Sequence, residues 1–539
     1  MLKTVRGRGG AVTAPHHLAS EAGLGVLRDG GTAAEAAVAI AATLAVVYPH
    51  MNSIGGDNFW LMADPGRAPV GIDACGRAAA AADLDFYRSR GLDAVPWRGP
   101  LAANTVNGAL SGWAQVLATA GGRLPLARLL EPAIALAEGG APVSASCAAV
   151  VRAKRTELAC EPGFAEVFMP GGQLPEAGAL LRQPALARTL RRLVDEGLES
   201  AYRGALARDI AADLEACGSP LTLADLEAHH AEVVRPLTVE IGAGRLYNMP
   251  PPTQGLASLM ILALFDRLGV GQGESFAHIH GLVEATKHAF LVRDRHVGDP
   301  ALMEIPAQDI LDDGPLLDRL AAEVDPWQAL PWPAPPSAGD TVWFGAVDGE
   351  GRTVSAIQSI YFEFGSGVVL PQTGINWQNR GSSFRLAQDG WNALKPRRKP
   401  FHTLNPALAM LNDGRVMAYG TMGGEGQPQT QSALFTRYAL YGEDLQDAIS
   451  APRWLLGRTW GEDSANLKLE RRFPAALVES LRAAGHAVEL VEPFSGSMGH
   501  AGALVRHPDG ALEAATDPRS DGAALALAPL DPAPGAGGH

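Results

Sequence analysis

Thr341 is the residue whose type and position indicate the most specific chemistry in the sequence. It follows a proline-rich segment, residues 325–339, and precedes an apolar run, residues 342–347, with the pattern of a strand. If the bond between Asp340 and Thr341 were cut, Thr341 would gain a free α-amine. A threonine hydroxyl is a poor nucleophile without a base beside it, and an N-terminal amine has a pKa of about 7.7–8.0. The position predicts an N-terminal threonine nucleophile; the alternative is a strand that merely begins with threonine.

A glycine cluster is the second element that could take part in catalysis. Residues 420–425, GTMGGE, follow an apolar strand pattern and precede a helical one. Consecutive backbone N–H groups in such a turn can face one oxyanion. Gly-Gly turns are common, so the cluster by itself indicates only a candidate oxyanion site.

His280, Glu284 and His288 recur every four residues within a predicted helix, residues 276–293, and such a face could hold a metal ion. The HExxH motif is absent and no further ligand is indicated. We therefore interpret these residues as a polar helix face and predict no metal and no other cofactor. Neither GxSxG nor GxxxxGK[ST] occurs, so an α/β-hydrolase elbow and a P-loop have no support.

The composition is that of a globular, acidic protein. Of the 539 residues, 47% are hydrophobic and 19% are charged, and the formal net charge is −14. Such a chain lacks the basic surface of a nucleic-acid-binding protein. Four irregularly spaced cysteines without a CxxC pair exclude a zinc ribbon and a thioredoxin-type motif.

The N-terminal residues give an expectation about location. MLKTVRGRGGAV contains basic residues without a following apolar segment, so no secretory signal is predicted and a cytoplasmic protein is expected. The longest largely apolar run, residues 36–48, is too short to span a bilayer and predicts a buried helix. No membrane partner is expected.

Helical patterns dominate the sequence before the proline-rich segment, and strand patterns follow it. Thr32 and Glu35 have the spacing of a capping box at the start of a helix that ends near Val47. Further helices are predicted at 15–29, 126–136, 186–193, 221–228, 256–268, 276–293, 428–441 and 474–484. Strands are predicted at 59–63, 342–347, 353–360, 407–411 and 415–419. The pattern predicts a layered α+β body, with the proline-rich segment as the best boundary candidate.

The ordered motifs resemble the gamma-glutamyltranspeptidase family of N-terminal-nucleophile hydrolases over residues 10–525. Each motif is weak alone, and their order and spacing make the resemblance specific. In order, they are 52–59 (NSIGGDNF), 249–252 (MPPP), 298–300 (GDP), the Thr341 strand, 364–367 (FGSG), 420–424 (GTMGG) and 517–520 (DPRS).

The resemblance implies a four-layer αββα sandwich made as one proenzyme. The chain would cleave itself between Asp340 and Thr341 into a large subunit, residues 1–340, and a small subunit, residues 341–539. The two fragments would stay together as one structural unit. A homodimer of that unit is a further possibility, by analogy with the family.

The resemblance also assigns roles around the nucleophile. Thr341 would attack the Asp340 carbonyl in the precursor and an amide carbonyl in the mature enzyme. Gly423 and Gly424 match the oxyanion-hole pair of the family. Ser359 lies where the family has a threonine whose hydroxyl steadies the nucleophile.

The predicted substrate pocket departs from the family pattern. The family has an arginine for an α-carboxylate, an aspartate for the α-amine, an asparagine and paired serines. The positions here are Cys75 (with Arg77 two residues on), Ser383, Tyr361, and His402 with Thr403. Because both charges that bind a free amino-acid head are missing, we expect the preference for a γ-glutamyl group to be weakened.

Residues 400–408 (PFHTLNPAL) and 423–431 (GGEGQPQTQ) resemble the oxamate amidohydrolase-like, cytoplasmic branch of the family. His402, Thr403 and Tyr361 would then bind a small carboxylate or form ordinary pocket lining. The expected function is hydrolysis of a small amide such as oxamate through an acyl-enzyme on Thr341. The alternatives are a gamma-glutamyltransferase or glutathione hydrolase, an acylase of larger amides, and a catalytically silent relative used for assembly or binding.

Overall fold

The computed structural model describes residues 2–332, 340–457 and 464–528, with Asp340 described by its backbone. Most of the proline-rich boundary candidate, residues 333–339, lies outside the described residues. The strands are β1 (Val5–Gly7), β2 (Gly10–Ala14), β3 (Asp57–Ala63), β4 (Val70–Ala74), β5 (Ala141–Pro142), β6 (Leu180–Leu181), β7 (Glu232–Val234), β8 (Leu237–Ile241), β9 (Gly244–Asn248), β10 (Asp340–Asp348), β11 (Thr353–Tyr361), β12 (Ala407–Leu411), β13 (Val416–Thr421), β14 (Trp454–Leu456), β15 (Leu467–Glu470), β16 (Val488–Val491), β17 (Ala501–Arg506), β18 (Leu512–Thr516) and β19 (Ala523–Ala526). The α-helices are α1 (His17–Arg28), α2 (Ala33–Val47), α3 (Leu84–Arg88), α4 (Ala109–Ala120), α5 (Leu126–Gly139), α6 (Ala145–Leu158), α7 (Phe164–Phe168), α8 (Pro184–Glu196), α9 (Ser200–Arg203), α10 (Ala205–Cys217), α11 (Leu223–Ala228), α12 (Gly255–Leu268), α13 (Phe276–His296), α14 (Ala307–Asp312), α15 (Gly314–Ala322), α16 (Gln427–Phe435), α17 (Leu445–Ser450) and α18 (Ala475–Ala483).

Two antiparallel sheets form the centre of the molecule. Sheet I has the strand order β19-β2-β10-β11-β3-β4-β7, and sheet II has the order β1-β18-β17-β13-β12-β9-β8. Each sheet contains strands from both sides of the proline-rich segment. That segment therefore does not separate two folding units, although its composition makes it the best boundary candidate in the sequence.

The strands that face both a helix layer and the other sheet alternate their apolar side chains between the two. In β3, Phe59 and Leu61 pack between the sheets with Trp343 and Leu408, whereas Trp60 points to the helices over sheet I. This alternation follows from the two-residue period of a strand that is buried on both faces.

Helices cover the outer face of each sheet. Helices α1, α2 and α4 pack on sheet I, and α12 and α16 pack on sheet II. The expected four-layer αββα arrangement and α+β fold class are thereby confirmed. No helix among the described residues combines the length and apolar character that a membrane span requires.

Helix α2 forms the centre of the layer over sheet I, and every one of its residues is buried. The predicted capping box is confirmed, because the Glu35 N–H donates to Thr32 Oγ1 at 3.1 Å and the Thr32 N–H donates to the Glu35 carboxylate at 2.7 Å. Helix α1 packs closely against α2 at Gly23, where an added Cβ would lie only 2.6 Å from Ile40 of α2. The alanine-rich run is therefore a buried helix, as its pattern predicts.

One predicted element differs in its end. The helix expected over residues 428–441 is α-helical only to Phe435 and continues as a π-helix over Thr436–Leu440. Thr436 Oγ1 and His278 Nε2 share a buried hydrogen bond of 2.8 Å. Thr436 is the residue at which the α-helix changes to the π-helix. Such a local change depends on tertiary contacts, which the periodicity of the sequence does not contain.

Trp343 in β10 occupies a slot between the two sheets. Gly420 of β13 and Gly502 of β17 are cross-strand partners, and a Cβ on Gly420 would lie 2.1 Å from the indole Cδ1. A Cβ on Gly502 would lie 2.4 Å from Cζ3 of the same ring. The two glycines therefore make room for the ring in an otherwise filled interior.

We predict that Gly420→Ala lowers the stability of the protein by about 1–3 kcal/mol or more, because the added methyl group overlaps a ring that cannot move away. The thermal midpoint measured by scanning calorimetry tests this. Gly139→Ala is the matched control, since nothing lies within 4 Å of its Cβ position and it is helical. Equal thermal midpoints for the two variants would contradict the packing argument.

Candidate active site

The residues around Thr341 lie at one end of three adjacent central strands of sheet I, β10, β11 and β3. The start of β10 lies beside the end of β11, where Asp340 pairs with Tyr361. Ser359 of β11 in turn pairs with Asp57 at the start of β3. Because neighbouring strands are antiparallel, the start of one lies beside the end of the next. This pairing brings together Thr341, Ser359 and Asp57, which are far apart in sequence.

A β-bulge brings Thr341 and Ser359 together. The register shifts between Asp340 and Val342, so that two residues of β11 oppose Thr341. Thr341 is 1% exposed, and its hydroxyl donates to Ser359 Oγ at 3.3 Å. Ser359 Oγ also accepts from the Tyr361 N–H at 2.8 Å. Tyr361 has a φ of +82°, a strained conformation for a non-glycine residue that is often found at functional sites.

Gly423 and Gly424 form a turn at the end of β13 in the opposite sheet. Their φ values are +117° and +52°, so both positions favour glycine. Among the described residues, neither backbone N–H has a hydrogen-bond acceptor. The turn therefore presents two unused amide donors, which is the chemical requirement for an oxyanion site.

Gln254 holds this glycine turn and is a residue that sequence reasoning missed. Its Nε2 donates to the carbonyl oxygens of Gly424 at 2.8 Å and Thr403 at 2.7 Å. Its Oε1 accepts from Arg293 Nη1 at 2.9 Å, and Arg293 Nη2 lies 3.1 Å from the Glu425 carboxylate. All of these side chains are buried, so the turn is fixed by a connected polar network.

The only sequence signal for Gln254 is its place two residues after the motif 249–252, just before an apolar helix. A polar residue at that point predicts a turn or a helix start. The sequence does not show that the amide reaches across to Gly424.

Asp57 is a buried carboxyl group at the start of β3, beside the end of β11. Its Oδ1 accepts from the N–H groups of Gly76 and Gly108 and from Gln378 Nε2, at 3.0–3.1 Å. Its Oδ2 lies 3.2 Å from His402 Nε2. Burial raises the pKa of the Asp57 carboxyl to about 7. Burial also lowers the pKa of His402 well below its ordinary value, so the imidazole is neutral.

Cys75 lies beside this pair. One ligand atom each of Asp57, Cys75 and His402 falls within 4.8 Å of the others. Burial raises the pKa of the Cys75 thiol, which keeps it protonated, and the guanidinium of Arg380 is close enough to lower the pKa values of Asp57 and His402. A protonated thiol and a neighbouring positive charge both oppose the binding of a metal cation.

The second group that could hold a metal contains part of the predicted helix face. His280 and Glu284 lie with His486, with ligand atoms within 4.8 Å of one another. His288 is not part of this group, and its Nδ1 lies instead 3.8 Å from a carboxylate oxygen of Glu323. The helical spacing thus brings two of the three predicted residues together.

Glu284 in that group already has a cationic partner. Lys287 Nζ donates to Glu284 Oε1 at 2.7 Å, and the Leu330 N–H donates to Glu284 Oε2 at 2.9 Å. His280 Nε2 lies 2.8 Å from the Asp325 carbonyl oxygen. These contacts fasten residues 325–330 to α13, so the arrangement is better explained as a structural polar cluster than as a metal centre.

Tyr361 and Thr403 are joined by Arg380, a second residue that sequence reasoning missed. Arg380 Nη2 donates to Thr403 Oγ1 at 3.2 Å, and Nη1 donates to the Phe401 carbonyl at 3.0 Å. Its Cζ lies 3.4 Å from the centroid of the Tyr361 ring, a cation–π contact. Arg380 comes from the stretch between Tyr361 and Ser383, and no spacing rule in the sequence directs its side chain inward.

Arg77 and Ser383 have other surroundings. The Arg77 side chain is 42% exposed, and its guanidinium lies 3.4 Å from Glu232 and 3.7 Å from Asp299. Ser383 is half-buried, and its Oγ accepts from Asn392 Nδ2 at 3.4 Å. Of the predicted pocket residues, the structure thus joins Tyr361 with Thr403 and places Cys75 beside His402, while Arg77 is engaged in ion pairs nearer the surface.

We predict that Asp57→Asn flattens the pH dependence of stability between pH 5 and 8. The pKa of Asp57 is about 7 in the folded protein and 3.8 in its ordinary state, so the folded protein holds a proton that the unfolded chain has lost in this range. Stability therefore falls with rising pH, by up to about 1.4 kcal/mol per pH unit, and asparagine removes this contribution. Thermal midpoints measured across the range test it. The exposed Asp93→Asn control should keep the wild-type slope, and parallel curves for all three proteins would refute the assignment.

The chain is similar to known proteins over nearly its whole length. The family model for gamma-glutamyltranspeptidase matches residues 19–527. The chain is 54% identical over 519 residues to the oxamate amidohydrolase proenzyme of Klebsiella pneumoniae, which covers 96% of this chain and 98% of that protein. It is 41% identical over 530 residues to the glutathione hydrolase-like YwrD proenzyme of Bacillus subtilis, covering 98% and 100%. The crystal structure of cephalosporin acylase from Bacillus halodurans superposes with a TM-score of 0.90 at 33% identity, covering 98% of this chain and 97% of that one. The chain therefore belongs to the gamma-glutamyltranspeptidase family of N-terminal-nucleophile hydrolases.

Proposed function

We propose that this enzyme is a self-processing threonine amidohydrolase that hydrolyses a small amide such as oxamate. The observation that carries the proposal is the buried Thr341 hydroxyl at the bulged start of β10, 3.3 Å from Ser359 Oγ. The two unused amide donors of Gly423 and Gly424 support it. The name of the 54% identical relative, an oxamate amidohydrolase proenzyme, supports the substrate.

Self-processing would create the catalytic base. Thr341 Oγ attacks the carbonyl carbon of Asp340, the peptide C–N bond breaks, and the nitrogen takes the hydroxyl proton to become a free α-amine. Water then hydrolyses the resulting ester, which restores the hydroxyl and leaves a carboxylate at the end of residues 1–340. Strands from both fragments alternate in sheets I and II, so the proposed large and small subunits would remain joined after the cut.

Amide hydrolysis would use the same hydroxyl. The α-amine accepts the Thr341 Oγ proton as the oxygen attacks the amide carbon, and the negative charge on the carbonyl oxygen faces the N–H groups of Gly423 and Gly424. The C–N bond breaks, and the leaving nitrogen takes the proton, which gives ammonia when the substrate is oxamate. Water then hydrolyses the acyl ester and regenerates the hydroxyl. Removal of one oxyanion donor from such a site typically lowers the rate by about 10²–10³-fold.

A glutathione hydrolase is the second candidate, because the 41% identical relative is named as glutathione hydrolase-like. Cys75 and Ser383 stand where the resemblance places the charged groups for a free amino-acid head. Cys75 is a buried, protonated thiol and Ser383 is bonded to Asn392, so neither supplies such a charge. These contacts favour the small amide over the γ-glutamyl group.

We predict that Thr341→Ala remains a single chain of 56.3 kDa, whereas the wild type and Thr341→Ser divide between residues 340 and 341. Intact-mass spectrometry tests this. Thr353→Ala is the matched control, since Thr353 is a buried threonine at the start of the next strand, and it should divide as the wild type does. The divided enzyme should release ammonia from oxamate and leave glutathione intact. An undivided wild type, or cleavage of the alanine variant, would refute the nucleophile.

We predict that Ser359→Ala slows both self-processing and amide hydrolysis by up to about tenfold. The variant removes one hydrogen bond to the nucleophile, worth about 0.5–1.5 kcal/mol, and 1.36 kcal/mol corresponds to a tenfold change in rate. Ser359→Thr keeps a hydroxyl at this position and should retain most of the rate. Time courses of chain cleavage and ammonia release measure both steps, and wild-type rates in the alanine variant would contradict the role.

A further inference from the structure

Among the described residues, Arg380 is the more deeply buried of two buried arginines that have no carboxylate partner; the other is Arg398. It is 1% exposed, and no carboxylate oxygen among those residues lies within 4.0 Å of its guanidinium. Arg293, Arg437 and Arg453 are buried to the same extent, and each has a carboxylate oxygen at 2.5–3.1 Å. These three arginines follow the rule that a buried charge has a counter-charge, and Arg380 departs from it. Arg398 departs from it as well, but it is 8% exposed and lines an open cleft.

The hydrogen bonds that Arg380 makes do not include one to a carboxylate. Its two Nη atoms donate to the neutral oxygens of Phe401 and Thr403, and its Nε has no hydrogen-bond acceptor among the described residues. Burial lowers the pKa of Arg380, which reflects the cost of keeping the charged form in this environment. A bound anion would remove that cost and would accept from the unused donor.

The nearest acidic group is already committed elsewhere. Asp57 receives hydrogen bonds from Gly76, Gly108 and Gln378 and faces His402. Because its pKa is raised to about 7, a large fraction of the molecules carry a protonated Asp57 near neutral pH. Asp57 therefore neither pairs with the guanidinium nor strongly repels a second carboxylate.

Arg380 is connected to the nucleophile and to the glycine turn. On one side its guanidinium lies on the Tyr361 ring, and the Tyr361 N–H donates to the same Ser359 hydroxyl that accepts from Thr341. On the other side it holds Thr403, whose carbonyl shares the Gln254 amide with Gly424. The guanidinium is thus linked by direct contacts to both the nucleophile side and the glycine-turn side of the proposed site.

We propose that Arg380 binds the carboxylate of the substrate and thereby selects small amides that carry their own negative charge. The inference rests on the proposed function and deepens it. By resemblance, the position of the family's carboxylate-binding arginine is occupied here by Cys75. Arg380 supplies the positive charge from a different segment, between β11 and β12, so the bound carboxylate need not belong to an amino-acid head.

Oxalate binding to the purified protein tests this without relying on turnover. Calorimetric titration should show that Arg380→Gln weakens oxalate binding by about 100-fold, which lies within the usual loss of about 30-fold to several thousand-fold when one partner of a buried charge pair is removed. Arg380→Lys should recover part of the affinity. Arg398→Gln is the matched control, because Arg398 is also largely buried and has an unpaired Nε. Arg398 lines a different cleft, near Asp299 and Trp391, so this variant should bind oxalate as the wild type does.

A substrate comparison covers the case in which Arg380→Gln does not fold. Oxamide has nearly the shape of oxamate but lacks the charge, and wild-type kcat/KM for oxamate should exceed that for oxamide by about 100-fold. Similar values for the two amides, equal oxalate affinity in the wild type and Arg380→Gln, or no binding of oxalate by the wild type would each overturn the proposal. Failure of the nucleophile would instead be seen as an undivided chain, which leaves the oxalate titration decisive for Arg380.

Discussion

The pairing of β10 between β2 and β11 is the constraint on which the rest of the structure depends. Strand β11 pairs with β10 over residues 340–347, and β2 pairs with the second half of β10, residues 345–348. The first residues of β10 therefore stay beside the end of β11, which in turn pairs with the start of β3. Those strand ends carry Thr341, Ser359 and Asp57. A reactive group at the end of a strand that is paired within a sheet is held more rigidly than one on a free loop, and rigidity of this kind favours catalysis.

The opposite wall of the site is held in another way. Beyond Thr421 the glycine turn has left the sheet, and its position depends on Gln254, Arg293 and Glu425. Buried polar networks of this kind stabilise a single arrangement when every member is satisfied, and they lose much of their value when one member is removed. The two walls thus use different physical means, a sheet ladder on one side and buried charge-assisted hydrogen bonds on the other.

Much of the fold follows from local rules that the sequence contains. The capping box of Thr32 and Glu35, the buried alanine-rich helix and the strands around residues 342–360 are set by spacing and by apolar periodicity. The resemblance to the family predicts Ser359 beside Thr341, and the pairing of β10 with β11 brings the two residues together. Gln254 and Arg380 could not be found in this way, since their roles depend on side chains that cross between distant segments. The proline-rich segment suggests a boundary because composition reports local chain character, whereas strand exchange between the two parts is a property of topology.

Trp343 has a consequence for the precision of the site. Its ring lies two residues after Thr341, and its slot begins at Gly420, three residues before Gly423. The indole of one sheet lies against two adjacent glycines of the other sheet, so the two sheets cannot shift relative to each other without a steric overlap. The spacing between nucleophile and amide donors is then set within the apolar interior, by a side chain that takes no part in the reaction. A misplacement of about 1 Å can lower a rate by about 10²-fold, so the tolerance of this chemistry is decided by the shape of a hydrophobic contact.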